Sequence, residues 1–249
     1  MSACKQSVPH TLIIQKHSLG ENVMKLTNYF TRYEIFLWVC SIFIIISSFI
    51  YFDTNNYFVL TASLIGVTSL IFCAKGNAIG QLLMIIFSLL YGYISYTFNY
   101  YGEMLTYLGM TLPMAILSLI TWLKNPYEDN NNEVKIETLT VKEVRFMMFL
   151  TIIVTFIFYF ILKFFNTSNL FFSTISIATS FIAVYLTYKR SSFYALAYAA
   201  NDLVLIILWY LASLDNSMYV SVVICFCIFF INDVYGYMNW KKMKLAQSI

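Results

Sequence analysis

Apolar residues run along this chain in blocks of about twenty, separated by short polar breaks. The blocks fall at 34–52, 57–73, 78–98, 103–123, 145–165, 168–188, 192–212 and 218–238. Each is long enough, at 1.5 Å rise per helical residue, to cross a hydrocarbon layer about 30 Å thick. The breaks are as short as "DTNN" at 53–56 and "LDNSM" at 214–218. The pattern predicts an all-α polytopic membrane protein with eight transmembrane helices. Residues 1–33 form a polar tail without the pattern of a signal peptide, and "MKLTNYF" from Met24 would serve equally well as a start. The one sizeable hydrophilic segment, 124–145, contains a Pro, a run of Asn and mixed charges, and reads as a linker.

Composition agrees with the pattern. Of 249 residues, 60% are hydrophobic and 11% charged, with a mean hydropathy of +0.74, against about 25% charged residues in a soluble domain. The net charge is +3, and the basic residues stand at helix ends rather than on one face, so nucleic-acid binding is not expected. If the N-terminus is cytoplasmic, only Lys163 of the 15 basic residues falls outside, which supports eight spans with both termini inside. His10 and His17 lie in the tail, so no span contains a histidine for catalysis or a metal, and neither a cofactor nor an enzymatic activity is expected. The five cysteines, Cys4, Cys40, Cys73, Cys225 and Cys227, read as small apolar residues rather than a disulfide framework.

The linker divides two similar pieces. Lys75, Leu89 and Tyr96 match Lys189, Leu203 and Tyr210 at one offset (75 to 189, or 114). Tyr101, Trp122 and Lys124 match Tyr219, Trp240 and Lys242 at another (101 to 219, or 118). Matching helices run the same way across the membrane, so the repeats are parallel, and one helix between them must restore direction. This predicts two three-helix bundles, 53–123 and 166–240, joined by a loop and linker helix at 124–165. An extra helix at 34–52 precedes them and a basic tail at 241–249 follows. Parallel repeats are a transporter architecture with the site expected near the midplane between the halves.

The candidates for that site are polar residues inside apolar helices. Asp202, in "YAANDLVLIILW", costs roughly 2.5–3.5 kcal/mol at a helix centre, so it is expected to face a cavity or a partner. Tyr194, Tyr198, Asn201 and Asp202 share one helical face. A second dipeptide, Asn232-Asp233, recurs in "FFINDVYGYMNW", where Asn232 and Tyr235 share a face. Gln81 is the buried amide of the first repeat. Such amides either bind a ligand edge or join helices; for both the two readings stay open. A stripe of amide, acid and Tyr suits a flat, hydrogen-bonding ring. A membrane-embedded enzyme would want a His/Asp cluster, a metal motif or an activated Ser, and an assembly protein should lack paired polar stripes.

"KGNAIGQLLMIIFSLLYGYISYTFNYYGEMLTYLGM" and "VYLTYKRSSFYALAYAANDLVLIILWYL…VYGYMNWKK" resemble the PnuC family of bacterial vitamin and nucleoside transporters over about residues 55–245. The resemblance rests on the basic residue opening the seventh helix, on Asn201 in its middle, and on Tyr235-Gly236…Trp240 at the close. It implies import of nicotinamide riboside across the bacterial plasma membrane by facilitated diffusion, with trapping by a cytoplasmic kinase; relatives in the family carry thiamine, riboflavin or deoxynucleosides. It also implies Asn201 as a site residue. One departure stands out: where nicotinamide riboside members carry Trp-x-x-Trp before that Asn, this chain has Tyr194 and Ala197. If ionised, Asp202 and Asp233 would favour a neutral or cationic substrate, with cation–π attraction over Tyr faces; a nucleotide phosphate would meet no buried Lys or Arg. The expected partners are a small-molecule substrate and the lipid bilayer, with room left for a homo-oligomer.

Overall fold

A computed structural model of the chain describes residues 29–54, 56–97, 101–127, 130–167 and 169–248. The tail through residue 28, with Cys4, His10, His17 and the start at Met24, lies outside the described residues. Contacts divide the chain into two units, residues 1–40 and 41–249. The first contributes the start of α1 (Arg32–Phe52), which opens with a capping box: the Glu34 amide donates to Thr31 Oγ1 at 3.2 Å and the Thr31 amide donates to Glu34 Oε2 at 2.6 Å.

The second unit carries α2 (Tyr57–Ala74), α3 (Ala78–Thr97), α4 (Tyr101–Lys124), α5 (Val141–Phe164), α6 (Leu170–Tyr188), α7 (Tyr194–Ser213) and α8 (Val220–Ala246). With α1, eight helices among the described residues are long and apolar enough to cross a membrane. The fold is all-α and polytopic. Three details differ from the sequence reading. The helix predicted from 145 starts at Val141, because Thr140 and Glu143 form a second capping box. The last helix continues to Ala246 through Lys241, Lys242 and Lys244, since no Gly or Pro follows residue 238 to end it and its lysines suit a water-facing turn. The linker forms a short hairpin, β1 (Pro126–Tyr127) with β2 (Asn130–Val134).

Helix α3 packs against α2 and α4, as α7 does against α6 and α8, and α2 meets α8 while α4 meets α6. The two triplets obey the repeat down to single backbone bonds. Gly76 and Arg190, 114 apart, both take the left-handed conformation at φ 67° and 53°. The Gly76 amide donates to Cys73 O as that of Arg190 does to Thr187 O, and the Asn77 amide donates to Phe72 O as that of Ser191 does to Leu186 O. Asn77 Oδ1 accepts from Ile79 N, and Ser191 Oγ from Phe193 N. The same short turn therefore starts α3 and α7.

Two tryptophans exchange bonds between the repeats. Trp122 Nε1, at the end of α4, donates to Thr187 O of the second repeat at 3.0 Å. Trp240 Nε1, its counterpart in α8, donates to Cys73 O of the first at 2.8 Å. Donors and acceptors are both related by the repeat offsets. The two indoles are fully buried and lie 5.4 Å apart. The linker joins the same region: the Val134 amide donates to Gly76 O and that of Glu137 to Arg190 O, each at 3.0 Å. Arg190 pairs with Glu137. Lys189 Nζ meets Glu143 Oε1 at 2.8 Å, and that carboxylate holds the Lys189 ammonium above its ordinary range.

Replacing either indole by a ring without a donor removes one of the two hydrogen bonds its carbonyl accepts, and the backbone one remains. Trp122→Phe and Trp240→Phe should each lower stability by about 0.5–1.5 kcal/mol, read as an earlier thermal transition in detergent. Because the rings touch, the double variant should lose less than or more than the sum, not the sum itself.

Candidate functional site

Above the tryptophans, between the repeats, lies a narrow cavity of about 60 Å3, below the usual range of small-molecule sites. Much of its wall comes in equivalent pairs. Gly66 of α2 faces the cavity as Ser180 of α6 does, Leu70 as Val184, Met84 of α3 as Tyr198 of α7, Phe87 as Asn201, and Thr111 of α4 as Phe229 of α8. The cavity thus sits on the axis relating the repeats. At three of these pairs the chemistry diverges one way, with Gly66, Met84 and Phe87 of the first repeat against Ser180, Tyr198 and Asn201 of the second; at the last pair the polar member is Thr111, in the first repeat.

Asn201 is held by its neighbours. Thr179 Oγ1 and Ser180 Oγ, on α6, donate to Asn201 Oδ1 at 2.8 and 2.9 Å. With its oxygen engaged twice, the amide has its NH2 group to offer. Asp202, next along α7, shares the cavity wall with Asp233 of α8. Asp202 Oδ2 is buried with no protein partner. Glu103 of α4 completes the acidic lining, and no Lys, Arg or His lines the cavity among the described residues.

Aromatic rings close the apolar side. Phe87 lies 5.9 Å from Tyr107 and 6.1 Å from Phe229. Tyr107 and Thr111 belong to a single π-helical turn, Tyr107–Thr111, inside α4. Pro113 has no amide to give to Gly109 O, so the helix loosens here. Gly66 permits the ring packing: a Cβ there would come within 2.6 Å of Phe229 Cζ and 3.0 Å of Phe87.

Of the residues singled out in the sequence, Tyr198, Asn201, Asp202 and Asp233 meet in this cavity. The other four stand behind the wall. Tyr194, one turn before Tyr198, packs its ring 4.6 Å from Trp240. Gln81 Nε2 contacts Cys73 Sγ at 3.3 Å and joins α3 to α2. Asn232 Nδ2 donates to Ser41 Oγ at 3.0 Å and Ile228 O at 2.8 Å, tying α8 to α1. Tyr235 is half-buried on another side of α8. The sequence reading passed over Met84, Phe87, Phe229, Thr179 and Ser180. The offset of 114 carried a usable signal, since applied to Asn201 and Tyr198 it lands on Phe87 and Met84.

A family described as nicotinamide mononucleotide transporter matches residues 56–242. The chain belongs to this family. It is 24% identical over 252 residues to the nicotinamide riboside transporter PnuC of Neisseria mucosa, covering 98% of this chain and 95% of that one. It is 24% identical over 209 residues to the protein of the same name from Haemophilus influenzae, covering 83% and 89%. A crystal structure of the vitamin B3 transporter PnuC superposes with a TM-score of 0.76 at 23% identity, over 88% of this chain and 94% of that one. Three comparisons therefore agree on a multi-pass membrane transporter, and the fold is that of the solved relative.

Proposed function

We propose that the protein imports nicotinamide riboside by facilitated diffusion, through the cavity between the repeats, with cytoplasmic phosphorylation trapping the product. The observation that carries this reading is the pairing of a held Asn201 amide with a carboxyl-lined, ring-lined cavity. A carboxamide oxygen can accept from Asn201 Nδ2, the flat pyridinium can lie against Tyr198, Phe87 or Phe229, and its positive charge is complementary to Asp202 and Asp233. The name of the family speaks of the mononucleotide and the names of the relatives speak of the riboside. The cavity favours the riboside, because a phosphate would face Glu103, Asp202 and Asp233 with no basic residue to meet it.

The basic residues support an orientation with both termini in the cytoplasm of a bacterium, at its plasma membrane. The helix ends of the Trp122–Trp240 contact then face inward, and the substrate reaches the cavity from the other side. A cytoplasmic kinase is the functional partner, and a homo-oligomer is compatible with the apolar outer faces. Tyr194 and Ala197, in place of a tryptophan pair, favour a second reading in which the same site takes another flat vitamin such as thiamine.

Purified protein in liposomes should take up nicotinamide riboside and leave the mononucleotide outside; uptake of the mononucleotide alone would sink the proposal. Asn201→Ala and Asp202→Ala should each cut uptake by roughly ten-fold or more, the loss expected for a hydrogen bond to a charged or held group, with unchanged yield of folded protein. Thr179→Val combined with Ser180→Ala frees the amide to turn. It should raise KM for the riboside by roughly three- to ten-fold while narrowing the preference for a carboxamide over a carboxylate on the ring, measured by competition.

A further inference from the structure

Glu103 lines two hollows. Besides the cavity between the repeats, it faces a second one of about 110 Å3 at the end of the bundle away from the tryptophans. The other walls of this hollow include Trp209 near the end of α7, Asp215 just after α7, Tyr219 before α8, and Thr167 before α6. The Trp209 and Tyr219 rings lie 5.4 Å apart at 49°, a tilted pair packed on one another. Glu103 and Asp215 bring two carboxyl groups, and no Lys, Arg or His lines the space among the described residues. A glycine builds the wall. A Cβ on Gly102 would fall 2.4 Å from Leu162 and 2.7 Å from Thr167 Oγ1, so a larger residue would have to push these two side chains aside.

We propose that this hollow is a second binding site, for planar organic monocations, which captures the substrate and hands it past Glu103 to the inner cavity. The inference rests on the substrate and orientation proposed above. Its chemistry repeats that of the inner cavity, acid with aromatic, but its acid Asp215 is exposed and so acts on a cation still in water. An exposed carboxylate at a mouth raises the local concentration of cations and makes capture sensitive to salt. A ring laid against Tyr219, the half-buried member of the pair, gains a cation–π contact before it loses all its water.

The test is uptake of radiolabelled nicotinamide riboside by the full chain in liposomes, over a range of ionic strength. Asp215→Asn keeps size and removes charge, and Tyr219→Leu keeps bulk and removes the aromatic face. Each should raise KM about three- to ten-fold with kcat retained. Asp215→Asn should also flatten the dependence of KM on salt, which a merely structural role would not do. If both variants keep the KM and salt dependence of the unaltered protein, or lose kcat without a change in KM, the outer site is overturned while the transport reading stands. If the unaltered protein takes up no nicotinamide riboside, the substrate reading falls and the outer site for it falls too.

Discussion

The exchange of tryptophan bonds between the halves is the constraint on which the rest of the structure depends. Trp122 and Trp240 each end one repeat and each bond the first helix of the other. Neither repeat can satisfy its own terminal indole in this arrangement. Lipid tails offer no hydrophobic drive for helices to associate, so packing and interhelical hydrogen bonds must do it. Two buried donors aimed at two buried carbonyls fix which faces of the triplets meet. With one end of the bundle closed in this way, the walls above it are left apart, and the space between them falls on the axis relating the repeats.

A cavity on such an axis begins with two like walls, and its usefulness comes from their divergence. Met84 answers Tyr198 and Phe87 answers Asn201. Asp202 has Ser88 at its counterpart position and Asp233 has Ala115. The scaffold is shared, so substitutions on one side leave the backbone of the other unchanged. The second repeat places the amide and two of the acids, while ring faces come from both halves, Phe87 and Tyr107 from one and Phe229 from the other.

Most of the fold was legible in the chain because a membrane demands long apolar runs and puts basic residues at their ends. The starts of α1 and α5 lay two and four residues earlier than hydropathy placed them. Thr31–Glu34 and Thr140–Glu143 are capping boxes, and those polar residues lower the local apolar average while strengthening the helix. Asn201 and Asp202 were legible because they are costly where they stand. Phe87, Phe229 and Met84 were not, since an apolar ligand wall looks like any apolar helix surface. Glu103 read as an anchor because it lies two residues into its helix; the hollow reaching down to it is set by Gly102 and by packing between distant segments. Tyr194, Gln81 and Asn232 share the residue types of the cavity wall, and only tertiary contacts show that they join helices instead.

The hydrogen bonds from Val134 and Glu137 give the linker a metric role. Val134 ends β2 and Glu137 lies three residues on, a reach of at most about 11 Å, and they grip equivalent turns, one in each repeat. The segment is therefore a gauge that limits how far the two halves can separate here. A movement that pivots about the gripped turns leaves both bonds intact, whereas one that spreads them must first break them.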